Sequence, residues 1–89
     1  MNSAERGAEI EARLRQALVP CLLEVIDESH LHAGHAGALD GRGHFRVRIV
    51  AASFAGVVPI RRHRMVYEAL GDLMQSEIHA LSIDAEPPA

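Results

Sequence analysis

At 89 residues and 48% hydrophobic, the chain is long enough for one domain with a modest core and too apolar for a disordered tail. Aromatics make up only 3%, so that core must be aliphatic, and a formal charge of −3 gives no global attraction to nucleic acid. A single cysteine, Cys21, excludes an internal disulfide and points to a reducing, cytoplasmic setting. No apolar run reaches the roughly 18 residues of a membrane span, and Glu5, Glu9 and Glu11 argue against a signal peptide.

Asn2 or Ser3 can cap a first helix over about residues 4–17, with Glu5 placed for a capping box with Asn2. Ile10, Leu14, Ala17 and Leu18 form its apolar stripe, with Glu9/Arg13 and Glu11/Arg15 as i,i+4 pairs outside. Pro20 ends it. Residues 21–26 predict strand one, with Cys21, Leu23 and Val25 on one face and Leu22, Glu24 and Ile26 on the other. Residues 27–43 predict a long loop rich in Gly, Ala and His, a length at which connections are commonly functional. Residues 44–52 predict strand two, alternating Phe45, Val47 and Ile49 against Arg46, Arg48 and Val50, in a hairpin with strand one. A turn around Gly56 follows, with Phe54 buried.

From Pro59, the spacing of Met65, Val66, Ala69, Leu70, Leu73 and Met74 predicts one central helix. Arg61, Arg62, His63 and Arg64 crowd its start, although a helix N-terminus prefers anions. Function is one way to explain such a broken local rule. Ile78, Ala80, Leu81 and Ile83 predict a short buried last strand. His79 is its odd polar residue, and alternation puts it on the face of Leu81. The core ends near residue 84, and a Pro-ended tail follows. The order α-β-β-α-β, with a short extra helical turn before the second long helix, predicts an α+β domain. A three-stranded mixed sheet packs against two helices, its last strand parallel to strand two.

Several pieces then match a known pattern in order and spacing: Leu23-Glu24-Val25 with Asp27-Glu28-Ser29, His44-Phe45-Arg46-Val47, Phe54-Ala55-Gly56, Arg62-His63-Arg64-Met65-Val66-Tyr67 and Ile78-His79-Ala80-Leu81. With these the chain resembles the BolA family. The resemblance implies a type II KH-like fold and two roles. One is partnership with a monothiol glutaredoxin, in a complex sharing a [2Fe-2S] cluster, tied to iron-sulfur protein maturation or iron and redox regulation. The other is transcription regulation linked to stress and cell shape. For the first role the family's ligands fall on His79 and on a loop histidine, matched to His32 with His35 and His30 as alternates.

The residue chemistry sits beside that implication. Small residues around His30, His32 and His35 let the backbone bend toward a metal, and imidazole suits iron, zinc and copper. The alternative is a solvated loop that carries its histidines by composition. Two imidazoles on one iron of a [2Fe-2S] cluster raise its potential relative to four thiolates. One cysteine cannot supply the remaining thiolates, so under the family reading they come from the glutaredoxin and glutathione. The arginines of residues 61–64 suit a partner carboxylate or phosphate, while His63 itself reads as a brace on the turn before the helix. DNA is the rival partner. Against it, the KH clamp G-x-x-G has its counterpart in Gly56-Val57-Val58-Pro59, where the second glycine is a proline. No nucleophile with a paired base is evident, and Asp27-Glu28 diverge at a strand end, so a non-enzymatic adaptor is expected, as a monomer or weak homodimer.

Overall fold

The computed structural model describes the backbone of residues 1–32 and 41–89, and the side chains of residues 1–30 and 41–89. Among the described residues, three helices and three strands follow the order α1 (Ser3–Leu18), β1 (Leu22–Asp27), β2 (Gly43–Val50), α2 (Pro59–Leu70), α3 (Leu73–Ser76) and β3 (Ile78–Glu86). Short 3-10 turns occupy Ser29–His32 and Ala52–Phe54, the second being the extra turn expected before α2. The sheet order is β1-β2-β3, with β1 antiparallel and β3 parallel to β2, as the pattern predicts.

The first helix forms for local reasons. Asn2 Oδ1 accepts the Glu5 amide at 2.8 Å and Glu5 Oε1 accepts the Asn2 amide at 2.9 Å, so the capping box is complete. Both i,i+4 pairs form, Glu9–Arg13 at 2.9 Å and Glu11–Arg15 at 3.0 Å. At the other end Val19 turns left-handed (φ 47°) and donates to the Arg15 carbonyl, and Pro20 cannot continue the helix. The buried stripe is Ile10, Leu14 and Leu18; Ala17 is exposed.

From Phe45 to Ile49 of β2 the alternation is clean. Phe45, Val47 and Ile49 face the helices and are buried, while Arg46 and Arg48 face away and pair with Glu28 and Glu24 at 3.1 and 3.2 Å. The core joins these strand residues to Ile10 and Leu14 of α1, Val66 and Leu70 of α2, Phe54 and Ile78. Each such side chain contributes about 1.5–3 kcal/mol by leaving water.

Two expectations need correcting. The central helix is not continuous to Met74: Gly71 (φ 55°) ends α2, and α3 restarts at Leu73. The apolar spacing runs on because Leu73, on α3, also enters the core. Arg13 stabilises the break from α1, donating to the Leu70 carbonyl at 2.7 Å and to Asp72 at 2.9 Å. The last strand is also longer and more exposed than expected. It runs to Glu86 at a sheet edge, and Ala85, expected in the tail, is buried opposite Ile49.

Candidate functional site

The pairing puts three things at one end of the sheet: the finish of β1, the start of β2 and the start of β3. The segment leaving β1 is tied down there. Ser29 donates its amide to Asp27 Oδ1 at 2.9 Å, the His44 amide donates to the Ser29 hydroxyl at 3.1 Å, and the Glu28 amide donates to the His44 carbonyl at 2.8 Å. Burial pushes the Asp27 carboxyl up, but hydrogen bonds from the Ser29 side chain and amide outweigh it and hold the group below its usual range. The turn carrying His30 is therefore fixed against the first residues of β2, with His30 itself exposed.

His79 reaches the same end by a fault in the ladder. Gly43 pairs with Ile78 and His44 with Ala80, so His79 is an additional residue on β3. Such bulges re-aim a side chain. Ile78 is buried and Leu81 lies on the helix-facing side, while His79 is exposed. The expectation that His79 shares a face with Leu81 is thus wrong: simple alternation fails at the shift. The His79 ring meets His44, with centroids 5.1 Å apart and planes at 39°. His44 is buried, 7% exposed, on the face of β2 away from the helices.

Further groups hold this end together. Arg42 Nη2 lies 3.1 Å from His79 Nδ1, and its Nη1 donates to the Gln75 carbonyl at 3.2 Å. Arg6, from α1, donates to Glu77 at 2.9 Å and to the Gly41 carbonyl at 2.6 Å. It thereby clips the residue before Arg42 to the turn that leads into His79. That guanidinium holds the Glu77 carboxyl below its usual range against the opposing effect of burial. Arg42 carries no motif in the sequence, and His44 enters there only within the family pattern His44-Phe45-Arg46-Val47. The available signal was that His44 is a ring in the strand pattern, out of phase with the buried Phe45, Val47 and Ile49.

Of the predicted ligands, His79 and the alternate His30 are brought to one end. His35 and the His32 side chain lie outside the described residues. Among the described residues no group of three or more His, Cys, Asp or Glu side chains gathers as a metal cage. Cys21 is at the opposite end of the sheet, its amide bonded to the Val50 carbonyl. A cluster held here needs thiolates from another molecule. The exposed imidazoles fit the histidine share of such a donor set.

The Arg61–Arg64 group is divided by the fold. Arg62 is only 16% exposed. It donates to the Val57 carbonyl at 2.7 Å and to the Ala85 carbonyl at 3.1 Å, and it reaches Glu86 at 3.4 Å. It ties the turn, α2 and β3 together, so, contrary to expectation, its guanidinium is not presented to a partner. The bracing expected of His63 falls to Arg62, whose phase on the helix points it back under the turn; His63 is half-buried. Arg61 and Arg64 are exposed, near Val58 and Ile60, which are also exposed. Asp27 and Glu28 are each engaged in the hydrogen bond and ion pair already described.

A family profile described as BolA-like protein matches residues 14–89. The chain belongs to the BolA family. It is 46% identical to mouse BolA-like protein 1 over 92% of this chain, and spans 58% of that protein's length. It is 40% identical to the Escherichia coli DNA-binding transcriptional regulator BolA, over 83% of this chain and 68% of the regulator. Among solved structures, the BolA domain of SufE1 from Arabidopsis thaliana superposes with a TM-score of 0.83 at 42% identity, covering 99% of this chain and 95% of that one. The α+β arrangement of this BolA-family chain is therefore that of its solved relatives. No described helix is long and apolar enough to cross a membrane.

Proposed function

We propose that this BolA-family chain is a non-enzymatic adaptor that binds a monothiol glutaredoxin and contributes His79 and a histidine of the loop after β1 to a shared [2Fe-2S] cluster. The observation that carries this reading is the register shift at Gly43/His44, which turns His79 out of the core toward the end where that loop departs. His32 remains the first loop candidate, with His35 and His30 as alternates. The partner's cysteine and glutathione would supply the thiolates, and imidazole in place of thiolate would raise the reduction potential when the cluster is bound. The chain's own share is to present His79, keep its ring against His44, and fix the loop's root through Ser29.

The test is to mix the protein with a cluster-loaded monothiol glutaredoxin and record the visible spectrum. A change is expected with wild type and its loss with His79→Ala. An unchanged spectrum, or a His79→Ala response equal to wild type, would falsify the ligand assignment.

The regulator name of the Escherichia coli relative and the exposed Arg61 and Arg64 favour a second reading, DNA binding at the start of α2. Phosphate contacts must weaken steeply as salt rises. DNA retention at low salt, lost in an Arg61→Ala/Arg64→Ala double variant, is expected under this reading. No retention at low salt disposes of it.

A further inference from the structure

We infer that Arg42 is a positioning residue that caps the coordinating lone pair of His79, so that whatever coordinates this ring must first displace Arg42. The inference rests on the proposed ligand role of His79. Arg42 Nη2 and His79 Nδ1 are 3.1 Å apart. A guanidinium has only N–H donors and no acceptor, so Nδ1 must accept; a neutral imidazole then carries its one proton on Nε2. While this bond holds, Nδ1 is used and Nε2 has no lone pair to offer. Coordination through Nδ1 requires the position Arg42 occupies. Coordination through Nε2 requires the proton on Nδ1, where an N–H would point at a guanidinium N–H. Both routes expel Arg42.

The arginine is built into place. Its Nη1 is anchored on the Gln75 carbonyl at the end of α3, and Arg6 holds the carbonyl of the preceding Gly41. Gly41 has φ 81°, a turn conformation that aims the next residue back across the start of β3. The His79 ring is thus held in a defined tautomer, with the His44 ring 5.1 Å away. Arg42 sets a threshold for coordination: a partner must offer more than the hydrogen bond it replaces.

Two readouts on the full chain test this. Diethyl pyrocarbonate acylates the unprotonated imidazole nitrogen, and peptide mass spectrometry gives a rate for each histidine, with exposed His30 and half-buried His63 as internal references. Arg42→Met and Arg42→Ala should each raise the His79 rate by roughly threefold to tenfold, the equivalent of one ordinary hydrogen bond, and leave His30 and His63 unchanged. Imidazole nitrogen shifts should show wild-type His79 with its proton on Nε2. An unchanged His79 rate in both variants, or a wild-type proton on Nδ1, overturns the cap.

In the second readout, cluster-loaded monothiol glutaredoxin is titrated and the visible spectrum followed; the Arg42 variants should respond at a roughly threefold to tenfold lower concentration. If acylation accelerates but no protein alters the spectrum, the cap stands and the shared-cluster reading falls. If wild type alters the spectrum and the Arg42 variants match it in both readouts, the shared-cluster reading stands and the cap falls.

Discussion

Where β2 and β3 begin, Arg42 directs one arm of its guanidinium to a side chain, the exposed His79. Where the same strands finish, Arg62 directs its guanidinium to two backbone carbonyls, Val57 and Ala85. The second arginine stands in the conspicuous basic run and the first stands alone after a glycine. A run of charge in the sequence is therefore a poor guide to which cation meets an exposed functional side chain. Arg62 breaks the helix-start rule because the turn and β3 present carbonyls that need a donor. The exception is explained by packing, with no ligand required.

Breaking the tie at the finishing end should have the largest effect. Arg62→Met leaves the Val57 and Ala85 carbonyls without their donor, and leaving such partly buried groups unpaired costs about 1–3 kcal/mol each at most. We expect a loss of about 2–3 kcal/mol in denaturant unfolding, with the response to cluster-loaded glutaredoxin retained. If stability is unchanged, Arg62 is not the tie described.

Next comes Gly43→Ala at the starting end. A Cβ there would overlap the Phe45 ring, forcing it or the strand to move. Overpacking of this kind costs about 1–3 kcal/mol, and because Gly43 flanks the register shift, the His79 environment should change too. Imidazole shifts check the second half; a stable variant with unchanged His79 signals would contradict the account of the shift.

Acid should separate the two ends more gently. Hydrogen bonds from Arg6 and Arg13 hold Glu77 and Asp72 below their usual range. A carboxylate depressed on folding contributes stability that is present above its unfolded value, near 4, and lost as pH falls through its folded value. The unfolding midpoint should thus fall on going from pH 5 to pH 3. Glu77→Gln, which removes the titrating carboxylate paired with Arg6 at the starting end, should make that fall shallower. Equal acid sensitivity in wild type and Glu77→Gln would remove Glu77 from the explanation.

The smallest effect is expected for Arg61→Ala and Arg64→Ala. Both side chains are exposed, and surface changes of this kind stay within about 0.5 kcal/mol. A thermal melt checks this, and a larger loss would mean that these arginines also serve the fold.

Local rules made much of this architecture legible. The capping box at Asn2 and Glu5, the β2 alternation and the helical stripe through Val66 and Leu70 all depend on neighbours a few residues away, and each is found where expected. The Gly71 break was hidden because Leu73 continues the apolar period. The exposure of Ala17 and the burial of Ala85 were hidden because alanine fits either side. At the site, His79 could be singled out as a polar residue in an apolar strand, but not its direction. That depends on one extra residue against β2.

The sequence by itself determined the order of the three strands and two long helices and the mixed sheet, because periodicity, caps and turn residues act over short chain distances; the core it predicts as aliphatic also holds both phenylalanines, Phe45 and Phe54. Only the tertiary structure decided that Arg42 meets His79, that His44 lies beneath it and that Arg62 belongs to the fold. Those pairings join residues 23 to 37 positions apart. They are fixed by strand register and helix phase, which no local pattern encodes.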